Sequence, residues 1–256
     1  MSDATRSATK LKSLDLAPGY RRVAEAIEDQ IVSGDLTPGD LLPTETELAE
    51  ILGVNRSTVR EGIRSLENAG LVRRGGGKRL HVSVPETPAV SSVVSRALGL
   101  KQVSFAELWE MQMLLEPFSA RLAALRRHED VKQLIGENVL KLADCLDDDQ
   151  AVILNDIEFH RLLAVATGNE ALALSTAPIG ALLFAATQEL YALVPQARQR
   201  LLGAHQRIAA AVVAGDERQA ESWMEKHIRD FRRGYELAEI SIDAPITLDP
   251  RALRAD

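Results

Sequence analysis

Residues 44–66 read Thr-Glu-Thr-Glu-Leu-Ala-Glu-Ile-Leu-Gly-Val-Asn-Arg-Ser-Thr-Val-Arg-Glu-Gly-Ile-Arg-Ser-Leu, and their pattern predicts two short amphipathic helices separated by one tight turn. Thr44 with Glu47 three residues on makes a capping box, and Pro43 stops a helix from running in from behind. Leu48, Ile51 and Leu52 then recur at helical spacing as the inward face. Gly53 supplies a left-handed stop, and Asn55 can cap the next helix by accepting from its first amides. In that second helix Val59, Ile63 and Leu66 mark the buried side, while Arg56, Arg60 and Arg64 recur every four residues on the other. This division is that of a helix-turn-helix with a recognition helix, and it points to DNA.

Arginine suits such a helix because its planar fork pairs bidentately with a guanine edge or clamps a phosphate. Ser57 and Thr58 fall in the first turn, where the amides add phosphate donors. The alternative is a solvated face whose arginines pair with Glu61 and Glu67. The segment C-terminal to this helix weighs against that alternative. Residues 71–82, Leu-Val-Arg-Arg-Gly-Gly-Gly-Lys-Arg-Leu-His-Val, are two short apolar-containing runs around three glycines, which predicts a basic β-hairpin. From Gly53 to Ser83 seven basic residues stand against two acidic ones, a local charge of +5 in a chain whose formal charge is −7. A basic end on an acidic protein is the distribution expected where one end meets phosphates.

Segment 20–82 resembles the winged helix of GntR-type bacterial transcription regulators. The matching pieces are Gly34-Asp35-Leu36-Thr37-Pro38-Gly39, Leu42-Pro43-Thr44-Glu45, Leu48-Ala49, Gly53-Val54-Asn55-Arg56, Val59-Arg60-Glu61 and Leu66-Glu67-Asn68-Ala69-Gly70-Leu71-Val72. The resemblance implies that Arg56, Ser57, Thr58 and Arg60 touch DNA in the major groove. It also implies that Gly77 and its neighbour Lys78 bring the wing near the minor groove. Where the family often has arginine after Glu45, this chain has Thr46, so that contact is missing or is supplied by Arg64, Lys78 or Arg79.

At 256 residues, 46% hydrophobic and 4% aromatic, the chain has room for two ordinary domains. No run of about 18 apolar residues and no apolar signal-peptide core occurs, which together predict a cytoplasmic protein without a membrane partner. The single cysteine, Cys145, excludes an internal disulfide and reads as packing. Residues 1–17, rich in Ser, Thr and Lys, read as a flexible arm, 18–83 as the winged helix-turn-helix and 84–90 as a linker. In that linker Pro85 and Pro88 favour extended chain.

Residues 91–240 carry Ala- and Leu-rich amphipathic stretches that predict an all-α bundle of about six or seven helices. They lie near 90–99, 104–127, 129–147, 150–167, 169–193, 196–214 and 216–240, followed by a tail without a clear helix from 241 to 256. Polar residues interrupt the apolar faces at four places. Asp156 and His160 are one turn apart and share a face with Val152 and Leu163. His205 falls among Leu201, Leu202, Ile208, Ala209 and Val212, and His227 among Ala220, Trp223, Met224 and Phe231. Buried imidazoles and a buried carboxylate are costly unless satisfied, and one divalent ion such as Zn, Ni, Co or Mn satisfies all four. Taken one at a time, each histidine is better explained as a hydrogen-bonded core residue than as a ligand.

This part is similar to the FCD ligand-binding domain of the FadR subfamily. The match is carried by Asp156-Ile157-Glu158-Phe159-His160, Gly168-Asn169, then His205, Ala214-Gly215-Asp216, Ala220, Met224 and His227. The resemblance implies that Asp156, His160, His205 and His227 hold the metal and that a small organic acid binds to or beside it. An arginine common in the family is Gln112 here. The effector is then less anionic, larger, or held by another cation such as Arg161, Arg198 or Arg200. Trp109 and Trp223 are candidates for pocket walls, with core packing as the equal alternative. The whole reads as a homodimeric, ligand-responsive regulator on a near-palindromic duplex operator, and the family resemblance implies a repressor. The other readings of the same four residues are a metal-dependent hydrolase, for which Glu158 points off the face and leaves no general base, and a direct metal sensor.

Overall fold

The computed structural model describes residues 18–76, 79–126 and 129–249. The arm expected at 1–17, the wing residues Gly77 and Lys78, and the end of the tail from 250 lie outside the described residues. The chain divides into two compact units, one up to Glu86 and one from Thr87.

The first unit contains α1 (Gly19–Ser33), α2 (Glu45–Leu52), α3 (Arg56–Asn68), β1 (Val72–Arg74) and β2 (Leu80–Val82). Both halves of the capping box at Thr44 form, and Gly53 leaves α2 at φ 65°, the left-handed conformation that its missing Cβ makes cheap. Asn55 Oδ1 accepts from the Thr58 amide at 2.8 Å and so starts α3. The strands pair antiparallel in the register Val72↔Val82, Arg73↔His81 and Arg74↔Leu80. Val72, Leu80 and Val82 thereby reach the same core as Val23 and Ile27 of α1, Leu48 of α2, and Val59, Ile63 and Leu66 of α3. Ile51, expected inside, is 68% exposed. An eight-residue helix buries only a narrow stripe here, taken by Leu48 and Ala49. Gly62 permits the closest approach: a Cβ there would lie 2.7 Å from Val23 Cγ1 and 2.9 Å from the Tyr20 carbonyl of α1.

The second unit is all helical among the described residues: α4 (Thr87–Leu100), α5 (Phe105–Leu125), α6 (Glu129–Asp144), α7 (Asp149–Ala166), α8 (Glu170–Leu193), α9 (Ala197–Ala214) and α10 (Glu217–Leu237). Helix α4 begins inside the stretch expected to be linker. Pro88 sits in its first turn, where no helical partner exists for the missing N–H. Helix α6 stops at Asp144, so Cys145 lies just past it, half-buried, with burial pushing its thiol up. Helix α8 is long and apolar enough by composition to cross a membrane. Its Ile179, Leu182, Phe184 and Leu190 are instead buried in the bundle core. The tail returns to the bundle: the Ala106 amide donates to the Ile242 carbonyl and the Ile246 amide to the Val103 carbonyl, each at 2.9 Å. Leu248 packs so closely on α4 that a Cβ at Gly99 would lie 2.3 Å from it.

Candidate nucleic-acid interface and metal centre

The first candidate site is the outer face of α3. Arg56, Arg60 and Arg64 are all exposed, as expected from their spacing. Their partners differ. Arg64 pairs with Glu61 at 2.8 Å, within the helix. Arg60 pairs with Glu45 at 3.2 Å, and Arg74 of the wing reaches both Glu45 at 3.3 Å and Glu67 at 3.0 Å. Burial alone would raise the Glu45 carboxyl, but the two guanidiniums hold it below its ordinary value. The alternative reading, arginines held by surface carboxylates, is thus present in part. Exposed pairs of this kind contribute about 0–1 kcal/mol each, little enough for a phosphate to replace the carboxylate. Arg56 has no ion pair among the described residues. The Ser57 and Thr58 hydroxyls donate to Asn55 Oδ1 at 2.6 and 2.8 Å, so both are turned back onto the cap. Thr46 is exposed at the start of α2, and Arg79 is exposed on the wing.

The second site lies inside the bundle. Asp156 and His160 of α7, His205 of α9 and His227 of α10 each bring one ligand atom to a point where all four lie within 4.8 Å of one another. His160 Nε2 is 3.2 Å from His227 Nε2 and 3.5 Å from Asp156 Oδ1, and His205 Nε2 is 3.1 Å from Asp156 Oδ1. Bonds of ~2.0–2.2 Å to a tetrahedral or octahedral ion set neighbouring donors roughly 2.8–3.6 Å apart, which these three separations match. The second test is satisfaction. Despite its nearness to His205, Asp156 Oδ1 makes no well-angled hydrogen bond, and neither do Nδ1 and Nε2 of His205, all of them buried. A cation would satisfy the orphaned Asp156 oxygen and the one lone-pair nitrogen of a neutral His205. The donor set therefore fits a divalent ion.

The electrostatics agree. Burial pushes both His205 and His227 below the ordinary imidazole range, helped in each by a neighbouring imidazole, so both are neutral and able to ligate. Burial opposes charge on Asp156 as well, but the imidazoles of His160 and His205 beside it outweigh burial and hold the carboxyl far down. His160 moves the other way, because Glu116 and Asp156 overcome its burial. Glu116, on α5 and 3% exposed, sits 2.7 Å from His160 Nδ1. It holds the proton on Nδ1 and leaves Nε2 for the ion, the arrangement in which an outer carboxylate orients a ligating imidazole. Phe159 stacks on His205 at 3.7 Å and fixes that ring. Sequence spacing alone gives Glu116 no role. Its signal is an acidic residue after the apolar run Met113-Leu114-Leu115, one turn beyond Gln112. Gln112 is itself buried, and its Oε1 has no hydrogen-bond partner.

A cavity of about 320 Å³ adjoins the centre through His227 and is walled by α8, α9 and α10. Trp223 lines it, as do Arg200, Arg207, Lys226 and Asp230. Among the cations suggested by sequence, only Arg200 is here, paired with Asp230 at 2.8 Å. Arg161 is on the surface with Glu158, and Arg198 pairs with Asp149. Trp109 donates to the Ile228 carbonyl at 3.2 Å beneath Arg232, so its role is packing. Of the nearby carboxylates, Glu158 is paired with Arg161 and Glu116 with His160.

A winged helix with a basic outer face on α3, joined in one chain to a helical bundle with a cavity, is the architecture of a class: the bacterial transcription regulators that sense and bind DNA in one chain. Residues 19–82 match the family described as bacterial regulatory proteins, gntR family, and residues 107–230 match the FCD domain. The chain belongs to the GntR family of transcription regulators, in the branch that carries an FCD domain. It is 33% identical to the HTH-type transcriptional regulator LutR of Bacillus subtilis over 80% of this chain and 97% of LutR. It is 30% identical to the HTH-type transcriptional repressor NanR of Salmonella newport over 66% of this chain and 68% of NanR. A solved structure of a GntR protein of Streptococcus agalactiae matches with TM-score 0.58 and 28% identity, covering 84% of this chain and 99% of that one. LutR and NanR are both named as transcription regulators.

Proposed function

We propose that the chain is a cytoplasmic, homodimeric repressor whose bundle holds one divalent ion at Asp156, His160, His205 and His227 and binds a small organic acid beside it. The observation that carries this reading is the convergence of four ligand atoms within 4.8 Å, among them buried atoms with no other partner. When bound, the ion supplies a fixed positive centre to which an oxygen of the acid can bind. Gln112, whose buried amide oxygen has no hydrogen-bond partner, would hydrogen-bond the same molecule. Arg56, Ser57, Thr58 and Arg60 read the major groove, with Arg64 and the wing at Gly77 and Lys78 on the backbone and minor groove. Two copies would read the halves of a near-palindromic operator. The acid regulates by binding more tightly to one arrangement of the dimer than to the other, and only that difference can shift DNA affinity. The repressor sign comes from the name of the NanR relative.

The test has two parts. Metal content of the purified chain is measured for wild type and for His205→Ala with His227→Ala, with one ion per chain expected only in the former. A duplex selected from a random library is then titrated with protein, with and without candidate sugar acids, hydroxy acids and dicarboxylates. An acid that alters DNA affinity only in the metal-loaded protein supports the reading. Affinity that tracks metal alone makes the chain a metal sensor. A protein that takes up no ion at all removes the proposed centre.

A further inference from the structure

Trp223 is the meeting point of two cations from different helices. The Arg207 guanidinium carbon, on α9, lies 4.5 Å from the indole ring centroid, and Lys226 Nζ, on α10, lies 4.3 Å from it. Neither has an ion pair among the described residues, whereas Arg200 beside them is neutralised by Asp230. All five line the cavity that the buried His227 also lines. The indole face attracts each cation, yet two like charges drawn to one ring at a cavity mouth remain uncompensated. The inner end is different in kind. There a divalent ion would meet two carboxylates, Asp156 directly and Glu116 through His160, which cancel its charge. The inner end thus offers ligation, and the mouth offers positive charge.

Resting on the proposal that an organic acid binds in this bundle, we propose that the effector is two-headed: one oxygen-bearing head at the metal centre, and a second, anionic head, carboxylate or phosphate, held at the mouth by Arg207 and Lys226 against Trp223. At about 320 Å³ the cavity is at the small end of ligand pockets, ~300–1,000 Å³. That size suits a short diacid or phosphorylated acid and not an acyl-coenzyme A.

The full-length, zinc-loaded chain is titrated by calorimetry with pentanoate and glutarate, acids of equal length with one and two carboxylates, and with 3-phosphoglycerate and inorganic phosphate. A charge-assisted contact is expected to favour a two-headed probe over pentanoate by at least about tenfold. The exposed pair Arg207→Gln with Lys226→Gln should erase that preference while zinc stoichiometry stays at the wild-type value. Preference for glutarate identifies the second head as a carboxylate, and preference for 3-phosphoglycerate with binding of phosphate identifies it as a phosphate. Equal affinity for pentanoate and both two-headed probes, no binding of any probe, or a preference that survives the double substitution overturns the proposal. A chain that takes up no zinc but binds glutarate or phosphate through Arg207 and Lys226 loses the metal reading and keeps the anionic mouth.

Discussion

Arg56 stands apart from Arg60 and Arg64 because no carboxylate among the described residues competes for it. It can meet a base edge without first giving up a partner. Arg56→Ala should therefore weaken binding to the selected duplex by about 1–3 kcal/mol, the worth of a bidentate base contact. Arg64→Ala, which removes a residue already paired with Glu61, should change affinity by less than about 1 kcal/mol. Fluorescence anisotropy at one fixed salt concentration measures both, and equal losses for the two would mean that pairing with Glu61 does not set the two arginines apart. In the bundle, Glu116 plays the corresponding single-residue part. Glu116→Leu leaves His160 without its Nδ1 acceptor, and metal affinity should drop about 10–100-fold. Glu116→Gln, whose amide oxygen can still accept, should lose less. The sign with pH follows from His160. Because Glu116 and Asp156 raise its pKa against burial, the metal-free protein carries a proton that the ion must displace, so acidification should weaken metal binding and uptake should release protons. Calorimetry in buffers of different ionisation heat detects that release.

Helix α3 does its work at a fixed distance from α1, and Gly62 sets that distance. A methyl at this position would approach both the Val23 side chain and the Tyr20 backbone carbonyl more closely than real Cβ atoms do. Gly62→Ala should cost about 1–3 kcal/mol in the first unit by overpacking. It should reduce DNA binding through a displaced recognition helix while leaving metal content unchanged. Unaltered denaturant midpoint and DNA affinity would show that α1 yields freely. The caps at Thr44, Asn55 and Asn169 and the alternation of apolar and basic residues on α3 are legible in the sequence, because they depend on neighbours within about one turn. The exposure of Ile51 is not, because spacing does not say how wide a stripe a short helix buries. Nor is the place of Pro88, because a proline that ends one helix can open another. The four candidate ligands can be suspected one helix at a time from polar residues in apolar faces. Glu116, Arg207 and Lys226 cannot, since each acquires its role from a residue on another helix or from the cavity that several helices enclose.

Two separate apolar cores hold the protein together. One is built from α1 to β2, the other from the bundle and the segment Ile240 to Leu248 that returns to it. The proposed ion touches only the second, so its removal should act on that unit alone. At a free metal concentration of 100 times the dissociation constant, binding adds roughly 2.7 kcal/mol to the state that binds it. For a unit of this size each kcal/mol moves the melting point by roughly 2–4 °C. A strong chelator should thus lower the bundle's transition by roughly 5–11 °C and leave that of the winged helix in place, as seen in a calorimetric scan resolved into two transitions. The organic acid should then raise the bundle's transition only when metal is restored, because its inner head binds the ion. Movement of both transitions together would mean that the two units unfold as one. No movement of either would mean that the histidines and Asp156 are satisfied without an ion, despite the buried acceptors they leave unpaired.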